Sequence, residues 1–252
     1  MKNYLEHYLK NRPFFYIFIR PKEAELFSRF LPFRKPVCDF GCGDGFFAKT
    51  FLPEGKINWG VDINKDELQK ARLMGVYDNL EYYNQKKLGF KDGEFATVIS
   101  NCALEHVENL EHDLTEINRI LKPGGVFLCS VMTSKWDEYL LGGKIFGRFY
   151  RNWMRKIQKH PNLLTKKQWD MVFKRAGFKI EKRIGYIDIK LTRLIEIFHF
   201  LSIESLITYK LFGKWVILPQ RYFLFPSTWI SSILFKDLNE SKSACVFYKL
   251  KK

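Results

Sequence analysis

Two rhythms of apolar positions alternate along this chain. Short, nearly unbroken apolar runs cover residues 36–40, 57–62, 80–84, 95–100 and 126–132. They read as strands buried on both faces, since half-exposed strands alternate in polarity. Between them the spacing turns helical. Ala24, Leu26, Phe27, Phe30 and Leu31 recur behind Pro21, and Leu68 and Ala71 follow a capping Asn64. Further helices are predicted from residue 46 to 51 and from 110 to 121. Thr165 caps another, with Trp169, Met171, Val172 and Ala176 on one face, before a sixth strand begins at Gly177-Phe178. The alternation at residues 244–248 predicts a last strand. Strands joined by crossover helices must run parallel, so the expected fold is α/β, a doubly wound, mostly parallel sheet.

Two stretches fall outside this alternation. Residues 134–161 interleave Trp136, Tyr139, Phe146, Phe149, Tyr150 and Trp153 with many basic residues. Residues 190–235 are strongly apolar, but charges interrupt them, and the longest uncharged stretch (222–235) is too short for the ~20 residues of a spanning helix. They read as amphipathic or hydrophobic helices that roof a substrate pocket or lie in a membrane interface. Charge separates the same halves of the chain. Eighteen of the 42 basic and eighteen of the 27 acidic residues lie in 1–134, so the whole net charge of +15 belongs to residues 135–252. A neutral half joined to a basic, aromatic half predicts an anionic partner for the latter. The five cysteines are odd in number and lack metal-ligand spacing, which suggests free thiols in a reducing, cytoplasmic compartment. Near the start, the apolar run at 14–19 is too short for a signal peptide or a spanning helix.

Chemistry concentrates where the first strand ends. Asp39-Phe40-Gly41-Cys42-Gly43-Asp44-Gly45 places three glycines at alternate positions between a strand and a helix. Glycine permits the sharp turn and lets a ligand approach the backbone, and the N–H groups of the following helix would face that ligand. Asp62 ends the next apolar run, 21 residues beyond Gly41. In such a strand–turn–helix–strand unit, an acid there accepts hydrogen bonds from both ribose hydroxyls.

The glycine spacing departs from that of dinucleotide-binding proteins. It resembles motif I, D-x-G-x-G-x-G, of class I S-adenosylmethionine-dependent methyltransferases, and more narrowly the small-molecule group with a GCG-x-G loop. Phe95-Ala96-Thr97-Val98-Ile99-Ser100, Leu104-Glu105-His106 and Leu121-Lys122-Pro123-Gly124-Gly125 follow in the family's order, although Ala96 stands where relatives commonly carry Asp. The likeness spans residues 37–132. It implies S-adenosyl-L-methionine as cofactor and a seven-stranded Rossmann-like sheet with an antiparallel last strand. It also implies cofactor binding by Asp39, Gly41, Cys42, Gly43, Gly45, Asp62, Ile63, Asn84 and Asn101. Asn84 replaces the acid that relatives use for the adenine amino group. The expected division is an N-terminal helical cover (1–34), a cofactor-binding half (35–133), a basic aromatic insertion (134–164), a helix and sixth strand (165–189), an apolar insertion (190–236) and the last strand (237–252).

His106, just beyond the fourth strand, is the candidate general base, and a structural or substrate-orienting role is the other reading. Tyr16, Tyr82 and Tyr83 are candidates to stack on the adenine or face the sulfonium. Cys42 and Cys102 lack basic neighbours and read as packing residues. The expected acceptor is a small, apolar or membrane-held molecule: a lipid, a quinone-like ring or a lipid-linked sugar. Peripheral attachment to an anionic membrane surface, on its inner face, is the expected location. An RNA methyltransferase using the basic half is the alternative, disfavoured because Asn101-Cys102-Ala103-Leu104 is not the N-P-P-Y-type motif common in relatives acting on RNA bases. Oligomeric state is not legible.

Overall fold

The computed structural model describes residues 4–217 and 227–252. Part of the uncharged stretch 222–235 lies outside the described residues. Helices α1 (Tyr4–Asn11) and α2 (Arg20–Ser28), with a 3-10 turn at Phe14–Phe18 between them, precede strand β1 (Val37–Phe40). Then come α3 (Phe46–Phe51), β2 (Ile57–Asp62), α4 (Lys65–Met74), β3 (Tyr77–Tyr82), β4 (Phe95–Asn101), α5 (Leu110–Ile120) and β5 (Leu121–Met132). The second half adds α6 (Lys135–Tyr139), α7 (Leu141–Gln158), α8 (Lys166–Arg175), β6 (Lys179–Ile187), α9 (Ile189–Leu201), α10 (Ile203–Phe212), α11 (Ser227–Leu234) and β7 (Cys245–Lys251).

The seven strands form one sheet in the order β3-β2-β1-β4-β5-β7-β6. The first five pair in parallel, and β7 lies antiparallel to both β5 and β6. Strand order therefore reverses between β1 and β4. In an open α/β sheet a crevice opens beyond the carboxyl ends of those two strands. On one face α2, α3 and α9 bury Phe27, Phe51, Tyr186 and Phe247; on the other α5 and α8 bury Leu114, Ile117, Trp169 and Phe173. Side chains of this size cost about 3–5 kcal/mol each when truncated to alanine, so both faces are needed to hold the sheet.

Local signals place the boundaries. The Asn64 side chain accepts from the Asp66 and Glu67 amides at the start of α4, and Gly75 ends it at φ 68°. Thr165 and Gln168 close a reciprocal capping box on α8. Two expectations change. β3 begins at Tyr77, three residues before the predicted 80–84, because its register is set by Ile57↔Tyr77 and Asp62↔Tyr82 pairing with β2. The turn expected at 122–125 lies inside β5, which reaches back to pair Leu121 with Phe95 through an irregular register. Residues 134–161 fold as α6 and α7, the latter kinked at Gly147, where φ is 63°.

Candidate active site

The loop after β1 is built from three left-handed glycines and one carboxylate. Gly41, Gly43 and Gly45 all have positive φ, at 76°, 53° and 77°. The Gly41 and Cys42 amides donate to Val61 O at 2.8 and 3.0 Å, which ties the loop to the end of β2. Asp62 Oδ2 accepts from the Gly43 amide and Oδ1 from the Asn64 amide, both at 2.8 Å. Each oxygen keeps a second acceptor position, enough for a vicinal diol. A Cβ on Gly41 would meet the Ala103 Cβ at 2.4 Å, so this glycine permits contact between two loops. A Cβ on Gly43 would meet nothing within 4 Å, so that position opens onto a cavity. Gly45 lines no described cavity; a Cβ there would press on the Tyr77 ring at 3.0 Å. The expected free amide at the start of α3 is already occupied, since Phe46 N donates to Asp44 Oδ1.

Two cavities meet at this loop, and Gly41 and Cys102 line both. The smaller, about 260 Å³, is bounded by Asp62, Ile63, Tyr83, Gln85, His106 and Asp113. The larger, about 400 Å³, is bounded by Asp39, Cys42, Gly43 and Asn101 together with Tyr8, Arg12, Tyr16, Arg20 and Trp215. Asn84 joins neither. The early start of β3 carries it past the strand, and its Oδ1 accepts from the Lys86 amide. Gln85, at φ 62°, and Asp113 stand in its place. Asp113 interrupts the apolar stripe of Leu110, Leu114 and Ile117 on α5, the one sequence signal that marked it. Tyr83 OH donates to Asp113 Oδ1 at 2.6 Å. Tyr16 and Tyr83 line the larger and smaller cavities respectively; Tyr82 lines neither and lies under Lys65 Nζ at 4.7 Å.

A polar floor lies under the larger cavity, and no pattern along the chain announces it. Glu23 of α2, fully buried, accepts from Arg20 Nη1 at 2.7 Å, Asn101 Nδ2 at 3.0 Å and Tyr186 OH at 2.9 Å. Asn101 Oδ1 in turn accepts from Ser130 Oγ at 2.5 Å. Its amide is thus held in one orientation by β5 and α2. Arg12 pairs with Asp44 and lies 4.1 Å over the Phe46 ring. Asp39 accepts from Tyr77 OH at 2.7 Å; burial, opposed by that bond, pushes its carboxyl up to about 7. Burial raises the Cys42 and Cys102 thiols well above their ordinary value, so neither is a ready thiolate.

Among the described residues His106 is the one histidine lining these two cavities. Its Nδ1 lies 2.9 Å from Lys159 O. A carbonyl only accepts, so Nδ1 carries the proton, and in the neutral ring Nε2 keeps its lone pair. The ring keeps an exposed side, and its partial burial lowers its pKa, so the neutral form prevails at pH 7. His160 packs against it at 4.7 Å between ring centroids. Asn162 clasps the same loop: its Nδ2 donates to Leu104 O at 3.2 Å and Val107 O at 2.6 Å, and its amide to Glu105 O at 3.2 Å. Glu105 is fully buried with neither carboxyl oxygen at hydrogen-bond distance from a partner. Burial pushes it up to about 7, with the nearby Arg20 charge pulling back. Among the described residues no cluster of His, Cys, Asp or Glu could hold a metal ion.

Comparison with known proteins places this geometry. The methyltransferase domain model matches residues 11–183. An uncharacterized protein of Methanocaldococcus jannaschii is 31% identical over 161 residues, covering 64% of this chain and 72% of that one. A ubiquinone biosynthesis O-methyltransferase of Vibrio atlanticus is 28% identical over 113 residues, covering 43% and 48%. The chain spans about half the length, or less, of the first named enzymes it matches. In fold it is similar to a SAM-dependent methyltransferase of Thermotoga maritima, with TM-score 0.62, 18% identity, and 94% and 91% of the two chains covered. With its family model matched over most of its length, the chain belongs to the methyltransferase domain family.

Proposed function

We propose that the chain transfers the methyl group of S-adenosylmethionine to a small, apolar or membrane-held acceptor, acting as a peripheral protein on the cytoplasmic face of a membrane. The observation that carries this reading is the pair of cavities joined at Gly41 and Cys102. One offers a carboxylate with two spare acceptor positions, and the other an aromatic chamber around the open side of Gly43. The residues fit the cofactor. Asp62 would take the ribose diol, and Ile63, Gln85 and Asp113 would flank the purine. Asp39, Cys42, Gly43 and Asn101 would line the path of the amino-acid tail, with Arg12 offering its charge to the carboxylate. When bound, S-adenosylmethionine supplies an electrophilic methyl carbon on a sulfonium, which needs alignment more than activation.

The protein's own work is to hold, orient and accept a proton. Tyr8, Tyr16, Phe46, Phe47 and Trp215 give the larger cavity aromatic surface on which a ring could pack, beside the charged Arg12, Arg20, Asp39, Asp44 and Glu67. The same walls disfavour a polynucleotide acceptor. His106 lines the smaller cavity, so it would serve an oxygen acceptor only where the hydroxyl reaches through the junction at Gly41 and Cys102; there its Nε2 is free to take the proton while Lys159 O holds the imidazole in that tautomer. A quinone-type ring fits these features, and a relative named for ubiquinone biosynthesis points the same way.

The test is to incubate the protein with methyl-labelled S-adenosylmethionine and, separately, a lipid extract, total RNA or an aqueous metabolite pool. Label in the organic phase, lost in His106→Ala, is the expected result. Label that enters RNA alone, or only water-soluble products, overturns the acceptor assignment.

A further inference from the structure

Helix α10 is turned inside out. Its flanking and internal serines, Ser202 and Ser205, are buried, while Ile203, Leu206, Ile207, Leu211 and Phe212 are exposed, Leu211 at 69%. An amphipathic helix on a protein surface in water shows the opposite arrangement. The same surface continues onto α7. There Phe149 is 82% and Phe146 64% exposed, with Trp153 beside them, and α7 carries Lys144, Arg148, Arg151, Arg155 and Lys156 without one acid. Helix α9 joins the two. Its Phe200 ring lies parallel to Trp153 at 6.4 Å, its Glu196 accepts from Tyr150 OH at 2.6 Å, and Ile197 and Leu201 are exposed beside it.

We propose that α7, α9 and α10 form one docking surface for an anionic phospholipid bilayer, oriented so that the larger cavity opens at the lipid boundary. The proposal deepens the functional reading above and rests on it for its purpose. Charge selects the occupant. The exposed Lys144, Arg148 and Lys156 of α7 match anionic headgroups, Arg155 being held by Asp137, while the exposed aromatic and aliphatic side chains match the acyl boundary just below them. A second copy of this chain would set one acid-free basic helix against another. An RNA strand could stack bases on Phe146, Phe149 and Trp153 but would leave aliphatic Ile203, Leu206, Ile207 and Leu211 without a partner. No helix among the described residues is long and apolar enough to cross a membrane, so the surface lies on the bilayer without spanning it. The position of the cavity gives the surface a use. Tyr209 of α10 stacks on Trp215 at 4.1 Å and lies 5.6 Å from Lys70 Nζ of α4, and Trp215 itself lines the larger cavity. The roof whose outer face is apolar therefore ends at the wall of the acceptor chamber.

Co-sedimentation of the whole chain with vesicles of phosphatidylcholine, with and without phosphatidylglycerol, tests this, alongside calorimetric titration with S-adenosylmethionine. The chain should pellet with phosphatidylglycerol vesicles, leave them at high salt, and stay in the supernatant with phosphatidylcholine alone. The double variants Phe146→Asp/Phe149→Asp and Leu206→Asp/Leu211→Asp should each lower vesicle partitioning about tenfold or more while cofactor affinity is unchanged. Three results overturn the proposal: wild type that stays soluble with phosphatidylglycerol at low salt, variants that pellet like wild type, or apolar variants whose effect is to split a dimer in ultracentrifugation. Wild type that binds cofactor but not phosphatidylglycerol vesicles refutes the docking surface alone. Absent cofactor affinity in a chain that still pellets refutes the methyl-transfer reading instead.

Discussion

Two alanines placed two residues apart should fail in different ways. Both Gly41 and Gly43 sit in the left-handed region, so an alanine at either costs about 1–2 kcal/mol of backbone strain. For Gly43→Ala that is nearly the whole effect on folding, because its Cβ would meet nothing within 4 Å. At about 2–4 °C per kcal/mol for a chain of this size, its melting temperature should fall by a few degrees. Gly41→Ala adds a Cβ at 2.4 Å from the Ala103 Cβ, which only a backbone shift can relieve, and overpacking of this kind costs about 1–3 kcal/mol more. The order inverts for ligand. The new methyl of Gly43→Ala projects into the larger cavity where the cofactor's tail would pass. If an unaccommodated methyl costs about 1–3 kcal/mol there too, affinity falls roughly 5- to 150-fold. Scanning calorimetry measures the first effect and isothermal titration with S-adenosylmethionine the second. A Gly43→Ala protein that binds like wild type would show that the cofactor does not approach this backbone.

Asp62→Ala should weaken cofactor binding at least about tenfold, since two hydroxyl bonds to an ionised acceptor are worth roughly 1.5–3 kcal/mol each; unchanged affinity by calorimetry in a folded variant removes Asp62 from the site. His106→Ala should lower kcat by about 10²–10⁴ for an oxygen acceptor, with cofactor affinity intact. Because its pKa is lowered, the acid limb of the wild-type kcat/KM profile should fall below pH 6.5, and a limb above that value contradicts the assignment. Glu105→Gln reports on a buried charge. With the folded carboxyl raised to about 7, wild type loses stability as pH climbs from the ordinary carboxylate range to 7, by at most about 1.4 kcal/mol per unit. The variant should match wild type near pH 4 and exceed it at pH 8 in urea denaturation; a constant difference across that range refutes the shift.

What the sequence disclosed follows from the range of the interactions concerned. The glycine loop and Asp62 belong to one strand–helix–strand unit, and spacing alone brings them together. The parallel direction of β1, β2 and β3 and of β4 and β5 was legible for the same reason, since a crossover helix joins each successive pair, whereas β3 and β4 are joined without one. Asn84 went astray because an edge strand's start is set by pairing with β2, which shows in no local pattern. Arg12, Arg20 and Glu23 were missed because tertiary packing alone carries α1 and α2 onto the carboxyl edge of the sheet. Glu23, buried among Arg20, Asn101 and Tyr186, looks like an ordinary surface acid when read along α2. The apolar residues of α7 and α10 were visible, but their outward direction was not, since a stripe of given period can face either way.

The clasp that residues 159–162 place on the His106 loop bears on how this chain could be rebuilt. A segment that looks like a removable cassette, α6 and α7 with their connections, ends in the carbonyl of Lys159 and the amide of Asn162 that fix the imidazole and the backbone at Leu104 and Val107. The imidazole is therefore shared property, its ring supplied by one part of the fold and its tautomer by another. A chimera that imports a different acceptor lid between β5 and α8 would inherit the histidine without its tautomer. Such exchanges should travel with the loop after β4, as a matched pair.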